Sequence, residues 1–221
     1  MAYVKLSVDP HAPKQGDLRV TKTNKLIRSA MIQLLLTKPY EDIIVQDILD
    51  LAMVNRATFY KYYTGKDDLV GKMIADLKRR YFDLIRERLE TRDFNVFFNK
   101  IFPQIFVLRE EFLALWKIQT PRHRLYQEMV DIVSKRYLFF SEHAFPQRNP
   151  EDTKLQSIMF GNLVMTTMKY FFEAKVDIQH LNIVQQLKNI LEMIQFNFAS
   201  LPDYDQIQAK LIVFNQLDAR E

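Results

Sequence analysis

Arg56 is the residue in this sequence whose position most strongly suggests a chemical role. It follows Asn55, a favoured helix N-cap, within the segment 45–69, which reads VQDILDLAMVNRATFYKYYTGKDDL. Because Ile48 and Leu49 give an earlier short helix an apolar face, the segment is predicted to form two short helices joined by a tight turn. A guanidinium near the start of the second helix can bond both acceptors of a guanine edge. The segment therefore indicates a helix-turn-helix unit that reads DNA.

Neighbouring residues of the second predicted helix divide between an outer face and a core face. The methyl group of Ala57 and the side chain of Thr58 can contact a thymine methyl group, so both join Arg56 as predicted base contacts. Phe59 and Tyr63 stand four residues apart and are predicted to lie in the core. A phosphate contact or a surface salt bridge remains the alternative role for Arg56.

The segment resembles the DNA-binding region of the tetracycline-repressor-like (TetR) family of bacterial transcriptional regulators, which commonly reads VxDIAxxAGVSxGTxYxHFxxKxxL. The matching residues stand in the correct order: Val45, Asp47, Ile48, Ala52, Val54, Thr58, Tyr60, Lys66 and Leu69. The resemblance covers Thr21 to about Leu77. It implies a three-helix DNA-binding domain followed by a helical domain that binds a ligand and dimerises.

Five residues are predicted to contact DNA phosphates: Lys22, Gln46, Tyr60, Lys61 and Lys66. The resemblance implies this role for Tyr60 and Lys61, which fix the position of the helix on DNA without reading sequence. Lys66 lies in the first turn of the next predicted helix, where backbone N–H groups also favour an anion. Lys22 lies off the apolar stripe of the first helix, as do Lys25 and Arg28.

Three departures from the family pattern affect the predicted helix-turn-helix, and one of them is Ala57, which stands where the family often has glycine. Met53 stands where the family usually has glycine, so a positive φ there would cost about 1 kcal/mol unless the turn is built differently. Ile44 lacks the hydroxyl of the usual threonine, and Asp42 is the expected replacement cap.

Helices are also predicted outside this segment. The first starts at Thr21, ends at Lys38-Pro39 and has an apolar stripe formed by Leu26, Ile27, Ala30, Met31, Leu34 and Leu35. Thr64 and Asp67 fit a capping signature that opens a long fourth helix. Beyond Thr91 the pattern predicts helices at about 93–108, 110–118, 122–144, 151–174, 180–200 and 204–217. Residues 1–20 are expected to form a flexible arm.

Composition favours an all-α protein. The chain has 221 residues, 48% of them hydrophobic, and only four glycines, which leaves few hairpin turns or phosphate-binding loops. Fourteen Lys/Arg oppose nine Asp/Glu in residues 1–80, so the basic surplus lies with the predicted DNA reader. No apolar signal core or membrane-length apolar run occurs, and a cytoplasmic location without membrane contact is the default expectation.

The sequence gives little support for a catalytic site or a metal site. Cysteine is absent, and the four histidines lie twenty or more residues apart. His123 is predicted to make one hydrogen bond near a helix start rather than act as a base or metal ligand. We therefore expect no enzyme activity, no metal and no cofactor.

Aromatic residues crowd the middle of the second domain and suit either a ligand cavity or a packed core. The candidates to line a pocket are Phe102, Trp116, His123 and Tyr126, and the expected ligand is a small apolar or aromatic inducer.

The helices at 151–174 and 180–200 carry more apolar surface than one face requires. The resemblance implies that they pair with their twofold mates, and intramolecular burial is the alternative. The candidate interface residues are Leu163, Tyr170, Leu187, Leu191 and Ile194, and Gly161 is expected to mark a close helix approach.

These expectations combine into an all-α, ligand-responsive transcriptional regulator, most often a repressor in this family, that binds a palindromic DNA operator as a homodimer. Its predicted parts are the arm (1–20), the helix-turn-helix domain (21–68) and the ligand-binding and dimerisation domain (69–221). The alternative is a helical regulator whose second domain binds a protein partner instead of a small molecule.

Overall fold

The computed structural model describes residues 15–90 and 100–175, with isolated positions at 186, 189, 190 and 192, and describes no side chains at 15–19 or 87–90. These residues form helices and no strand, which confirms the predicted all-α class. The helices are α1 (Gln15–Thr37), α2 (Val45–Ala52), α3 (Arg56–Tyr62), α4 (Lys66–Glu90), α5 (Phe102–Val107), α6 (Arg109–Trp116), α7 (Leu125–Ala144) and α8 (Pro150–Ala174). None of the helices in the described part is long and apolar enough to cross a membrane.

Helix α1 begins at Gln15, six residues before the predicted start at Thr21. Residues 15–20 contain only one helix-disfavouring residue, Gly16, and it lies in the first turn, where N–H groups have no intrahelical partner to lose. Low apolar content made the segment resemble an arm, but no stop signal separates it from the helix. The buried stripe of α1 is narrower than predicted, because Leu26 is 44% exposed.

The core of the N-terminal half forms where α1, α2, α3 and α4 meet. The buried apolar residues there are Ile27, Met31, Leu35, Ile48, Phe59, Tyr63, Leu69 and Met73. Phe59 and Tyr63 lie in this core as predicted, with ring centroids 5.5 Å apart. The hydroxyl of Tyr63 donates to Asn24 at 3.0 Å, so α1 and α3 are joined by a polar contact as well.

The start of α4 differs from the predicted capping signature by one residue. The helix begins at Lys66, and the carboxylate of Asp68 accepts a hydrogen bond from the backbone N–H of Thr64 at 2.9 Å. The predicted partner, Asp67, points elsewhere. Starting α4 at residue 66 places Asp68 at the third helical position, from which its carboxylate reaches the N–H of Thr64, two residues before the helix.

The C-terminal helices pack around aromatic rings. Helix α5 has Pro103 in its first turn, where the missing N–H costs nothing, and α8 is capped by Asn149, whose side chain accepts from Glu151 N–H at 2.9 Å. Helices α7 and α8 make the most extensive helix pair among the described elements. At Gly161 they approach so closely that a Cβ atom would lie 2.9 Å from the backbone oxygen of Val130. The expected close approach at Gly161 is therefore confirmed, within one chain.

The chain divides into two compact units, Met1–Ile178 and Gln179–Glu221. All eight helices named above belong to the first unit. Within it, α1 packs against α6, and the ammonium group of Lys117 donates to the backbone oxygen of Leu36 at 3.0 Å. The predicted domain boundary at residue 68 stays a prediction.

Candidate DNA-binding surface

The turn between α2 and α3 occupies three residues. Met53 adopts a left-handed conformation with φ 53° and ψ 44°, and the N–H of Val54 donates to the carbonyl of Leu49 at 3.1 Å. Asn55 then caps α3, because its side-chain oxygen accepts from the N–H of Thr58 at 2.7 Å. The turn thus has the positive φ for which the family usually supplies glycine, and Met53 carries a steric cost of about 1 kcal/mol.

Helix α2 is capped from inside its own first turn. The backbone N–H of Ile44 donates to the carboxylate of Asp47 at 2.8 Å, and Lys38 donates to the same carboxylate at 2.7 Å. Both hydrogen bonds lower the pKa of Asp47 below its usual value, and the one from Lys38 has the larger effect. The expectation that Asp42 caps is wrong, because Asp47 at the third helical position already closes the turn.

The outer face of α3 is open. Arg56, Ala57, Tyr60 and Lys61 are exposed, and Thr58 is half-buried. Four of the residues predicted to touch DNA bases or phosphates therefore share one exposed face of a short helix.

Arg56 is held in place by a residue of α2. Its guanidinium donates to the side-chain oxygen of Gln46 at 3.3 Å, and the Gln46 amide donates in turn to Asp50 at 2.8 Å. The Arg56 guanidinium also lies 6.0 Å from the centre of the Tyr60 ring. Gln46 therefore lies beside Arg56 and can orient it, a role that the sequence did not suggest.

Lys66 does not face outward. Its ammonium group donates to the backbone oxygens of Tyr40, Glu41 and Ile43 at 2.8, 3.1 and 2.6 Å, and it lies 4.5 Å from the centre of the Tyr40 ring. An ammonium group has three donors, and all three are used here. The predicted phosphate contact of Lys66 is therefore replaced by a structural one, in which Lys66 fastens the loop between α1 and α2 to the start of α4.

Two further cations are also tied to the protein. Lys72 donates to the backbone oxygen of Tyr62 at 2.9 Å, at the C-terminal end of α3, and to Asp68 at 3.0 Å. Arg28 forms an ion pair with Asp76 of α4 at 2.8 Å and is not free for a phosphate. Of these contacts, only the ion pair between Asp68 and Lys72 could have been predicted from the sequence, because the two residues stand four apart on one helix. Lys22 lies exposed on α1, as a phosphate contact requires.

The aromatic residues of the predicted pocket pack ring against ring. Trp116 stacks on Phe172 at 5.6 Å and meets Tyr126 edge-on at 5.4 Å, while Phe102 lies 6.5 Å from Phe172. Phe102 and Trp116 are buried. The indole N–H of Trp116 is buried and has no hydrogen-bond partner among the described residues. These three residues are thus brought together in one cluster.

His123 lies apart from those ring contacts. His123 lies just before α7 begins, and its imidazole Nε2 is 2.9 Å from Asp67 at the start of α4. The expected hydrogen bond near a helix start is confirmed, and the pocket position of His123 stays a prediction.

The outer face of α8 is apolar and exposed. The predicted interface residues Leu163 and Tyr170 are 42% and 59% exposed. Leu155, Ile158 and Met159 extend the same exposed face. The other predicted interface residues, Leu187, Leu191 and Ile194, lie outside the described residues.

A known bacterial protein is similar to part of this chain. No family model matches the chain. Over 62 residues, or 28% of this chain, it is 37% identical to YxbF of Bacillus subtilis (strain 168), an uncharacterised HTH-type transcriptional regulator. The matched stretch spans 16% of that relative. The similarity supports a transcriptional regulator of the helix-turn-helix type and does not distinguish TetR from other such families.

Proposed function

We propose that this protein is a DNA-binding transcriptional regulator of the TetR kind, located in the cytoplasm, that reads DNA with α3. The observation that carries the proposal is the α2–α3 turn, with its left-handed Met53, its Asn55 cap and the open face of α3 beyond it. That geometry supports placing α3 in a major groove, which admits one helix. The relative named above supports the same class of activity.

Individual roles follow from the geometry of this face. Arg56 donates to a guanine edge, while Ala57 and Thr58 meet thymine methyl groups. Tyr60 and Lys61 bind phosphates on the α3 side, and Lys22 does so from α1. Because Gln46 accepts from Arg56, its first role is to hold the guanidinium ready, and a phosphate contact is its second.

We propose that two copies of the chain associate and bind a roughly palindromic operator. The exposed apolar face around Leu163 and Tyr170 supports this, because contiguous apolar surface on a helix marks an interaction site. A twofold dimer presents its two α3 helices to half-sites about 34–36 Å apart.

A small apolar or aromatic effector is the proposed regulator, and repression is the proposed outcome. The buried, unpartnered indole N–H of Trp116 supports a ligand that carries one hydrogen-bond acceptor. The second candidate is a protein partner on the C-terminal helices. It is favoured by the close ring packing of Trp116, Phe112 and Phe172, which fills the region where a cavity would lie.

Selection of duplexes from a randomised library tests the DNA proposal. The wild type should enrich a sequence with two related half-sites, and Arg56→Ala should lose preference at one position of each half-site, at a cost of about 1–3 kcal/mol. Lys61→Ala is the matched control, since it should weaken all duplexes alike. A wild-type protein that enriches no sequence, or an Arg56→Ala variant with unchanged base preference, contradicts the assigned reading role.

Effector binding is tested on the same duplex. A screen of small aromatic acceptors should find compounds that shift the fluorescence of Trp116 and the DNA affinity with one midpoint. If no compound does both, the protein-partner candidate replaces the effector.

A further inference from the structure

One carboxylate at the start of α4 joins two regions that are distant in sequence. Asp67 Oδ1 lies 2.9 Å from His123 Nε2, and its Oδ2 accepts from the guanidinium of Arg122 at 3.1 Å. Both partners belong to the loop between α6 and α7. The side chain of His123 is only 13% exposed, whereas that of Arg122 is 81% exposed.

The imidazole of His123 also packs against the surface of α4. A Cβ atom at Gly71, one turn after Asp67, would lie 3.4 Å from His123 Cε1. That distance is van der Waals contact, so the ring lies close along the helix at this position. The hydrogen bond and the packing together fix His123 on the first two turns of α4.

The same carboxylate reaches the loop between α1 and α2. The hydroxyl of Tyr40 donates to Asp67 at 3.4 Å, and the neighbouring Lys66 holds the backbone oxygens of Tyr40 and Ile43. Burial, and then the charge of Asp67, raise the pKa of Tyr40 to about 12. Burial alone would raise the pKa of Asp67, but the hydrogen bond from Arg122 and the charge of His123 outweigh it, and the net shift is downward.

We propose that Asp67, His123 and Arg122 form a latch through which the α6–α7 loop positions the first turn of α4 and the α1–α2 loop, and thereby orients α2 and α3 on DNA. These three are positioning residues, because none lies on the outer face of α3. The proposal rests on the DNA-binding function proposed above. An ion pair that only stabilises the fold would not affect DNA recognition specifically, whereas breaking the latch should.

The loop that carries the latch is also joined to the aromatic cluster. Trp116 ends α6 on one side of the loop, and Tyr126 lies in the first turn of α7 on the other. Their rings are in contact, and the Gln119 side chain donates to the backbone oxygen of Trp116 at 3.1 Å. A change in the packing of these rings therefore has a short physical route to Asp67.

The experiment compares Asp67→Asn and His123→Gln with a matched control, Glu128→Gln. Glu128 pairs with Lys78 at 2.7 Å and also joins α4 to α7, so the control breaks an ion pair between neighbouring elements. Glu128→Gln and Asp67→Asn each remove one negative charge, so the two variants have the same net charge. Only Asp67→Asn breaks the latch.

Binding is measured on the duplex enriched by the wild type and on a random-sequence duplex. Asp67→Asn and His123→Gln should each weaken binding to the enriched duplex about tenfold, and the double variant should weaken it by about the same factor, because both changes remove one interaction. Glu128→Gln should change it less than about twofold, because a partly exposed ion pair contributes little and this one lies outside the latch. Binding to the random duplex should change little in all variants, since phosphate contacts are kept.

Amide hydrogen exchange gives a second measurement that needs no DNA. The amides of residues 40–43 and 67–71 should exchange faster in Asp67→Asn and in His123→Gln than in Glu128→Gln, with the rest of the chain unchanged. If His123→Gln fails to fold, Arg122→Ala takes its place, because that exposed side chain can be removed without a cavity.

The latch is overturned by unchanged local exchange in Asp67→Asn, by equal affinity losses in Asp67→Asn and Glu128→Gln, or by losses that multiply in the double variant. A loss of active fraction with an unchanged binding midpoint also overturns it, since that indicates a stability effect alone. If the wild type enriches no duplex, the DNA-binding proposal fails, while the exchange measurement still decides whether the latch holds the loop.

Discussion

Replacing Lys66 with methionine separates a structural role from a phosphate contact. The ammonium group donates to three backbone oxygens at 2.6, 2.8 and 3.1 Å, and each hydrogen bond to a charged donor contributes about 1.5–3 kcal/mol. The oxygen of Glu41 is exposed and regains water in the variant, so the total is smaller than the sum of the three. We expect Lys66→Met to lower the free energy of unfolding by about 2–4 kcal/mol.

For a chain of this length, that loss corresponds to a Tm lower by roughly 5–15 °C. The salt dependence of DNA binding should stay unchanged, because Lys66 neutralises no phosphate in this arrangement. Lys61→Met is the matched control, since Lys61 is an exposed lysine of α3. That variant should leave Tm nearly unchanged and make the logarithmic salt slope shallower by about one.

Thermal unfolding and DNA titrations at several salt concentrations make both measurements on the same samples. Affinity alone is not sufficient, because a loosened α1–α2 loop weakens binding as well. If Lys66→Met keeps its Tm and loses one unit of salt slope, Lys66 is a phosphate contact and the structural reasoning is refuted.

Three further predictions concern local features. Met53→Gly should raise the free energy of unfolding by up to about 1 kcal/mol by relieving the left-handed φ, whereas Met53→Ala should give no gain, and urea unfolding distinguishes the two. Gly161→Ala should lower the free energy of unfolding by about 1–3 kcal/mol, because the new Cβ atom meets the Val130 backbone. Gly71→Ala should raise it by up to about 1 kcal/mol. A stabilised Gly161→Ala variant would contradict the close approach of the two helices. Because the pKa of Asp67 is lowered on folding, the ionised carboxylate stabilises the fold above its ordinary pKa of 3.8, and this stabilisation is lost as the pH falls below that value. Asp67→Asn should therefore lose less stability than the wild type when the pH is lowered. Equal dependence of the free energy of unfolding on pH in the two proteins would exclude this contribution.

The features predictable from sequence are those set by near neighbours. Asn55 caps α3, and Phe59 and Tyr63 enter the core, because each depends on residues three or four positions away. The scarcity of glycine correctly indicated helices throughout the described residues. Met53 could be recognised as the costly position of the turn, although its left-handed φ needed the structure.

The features that sequence reasoning missed depend on pairs that are far apart along the chain. Lys66 binds oxygens 23 to 26 positions away, and Asp67 meets His123 at a separation of 56. A lysine in the first turn of a helix near DNA has the pattern of a phosphate contact, and only the packed loop reveals the nearer acceptors. Asp67 likewise fits a capping signature in the sequence, but its carboxylate binds His123 and Arg122 of the distant α6–α7 loop.

These internal contacts change how the positive charge of the N-terminal half should be interpreted. Several of its cations are bound within the protein: Arg28, Lys38, Lys66, Lys72, Lys78, Arg79 and Arg80. Among the described side chains of residues 1–80 this leaves four cations with neither an ion pair nor a hydrogen bond to a backbone oxygen: Lys22, Lys25, Arg56 and Lys61. Each phosphate neutralised contributes about −0.9 to the logarithmic salt slope, so these four give a slope of roughly −4 per protomer. A slope near the total of fourteen Lys/Arg would mean that the internal ion pairs open on DNA.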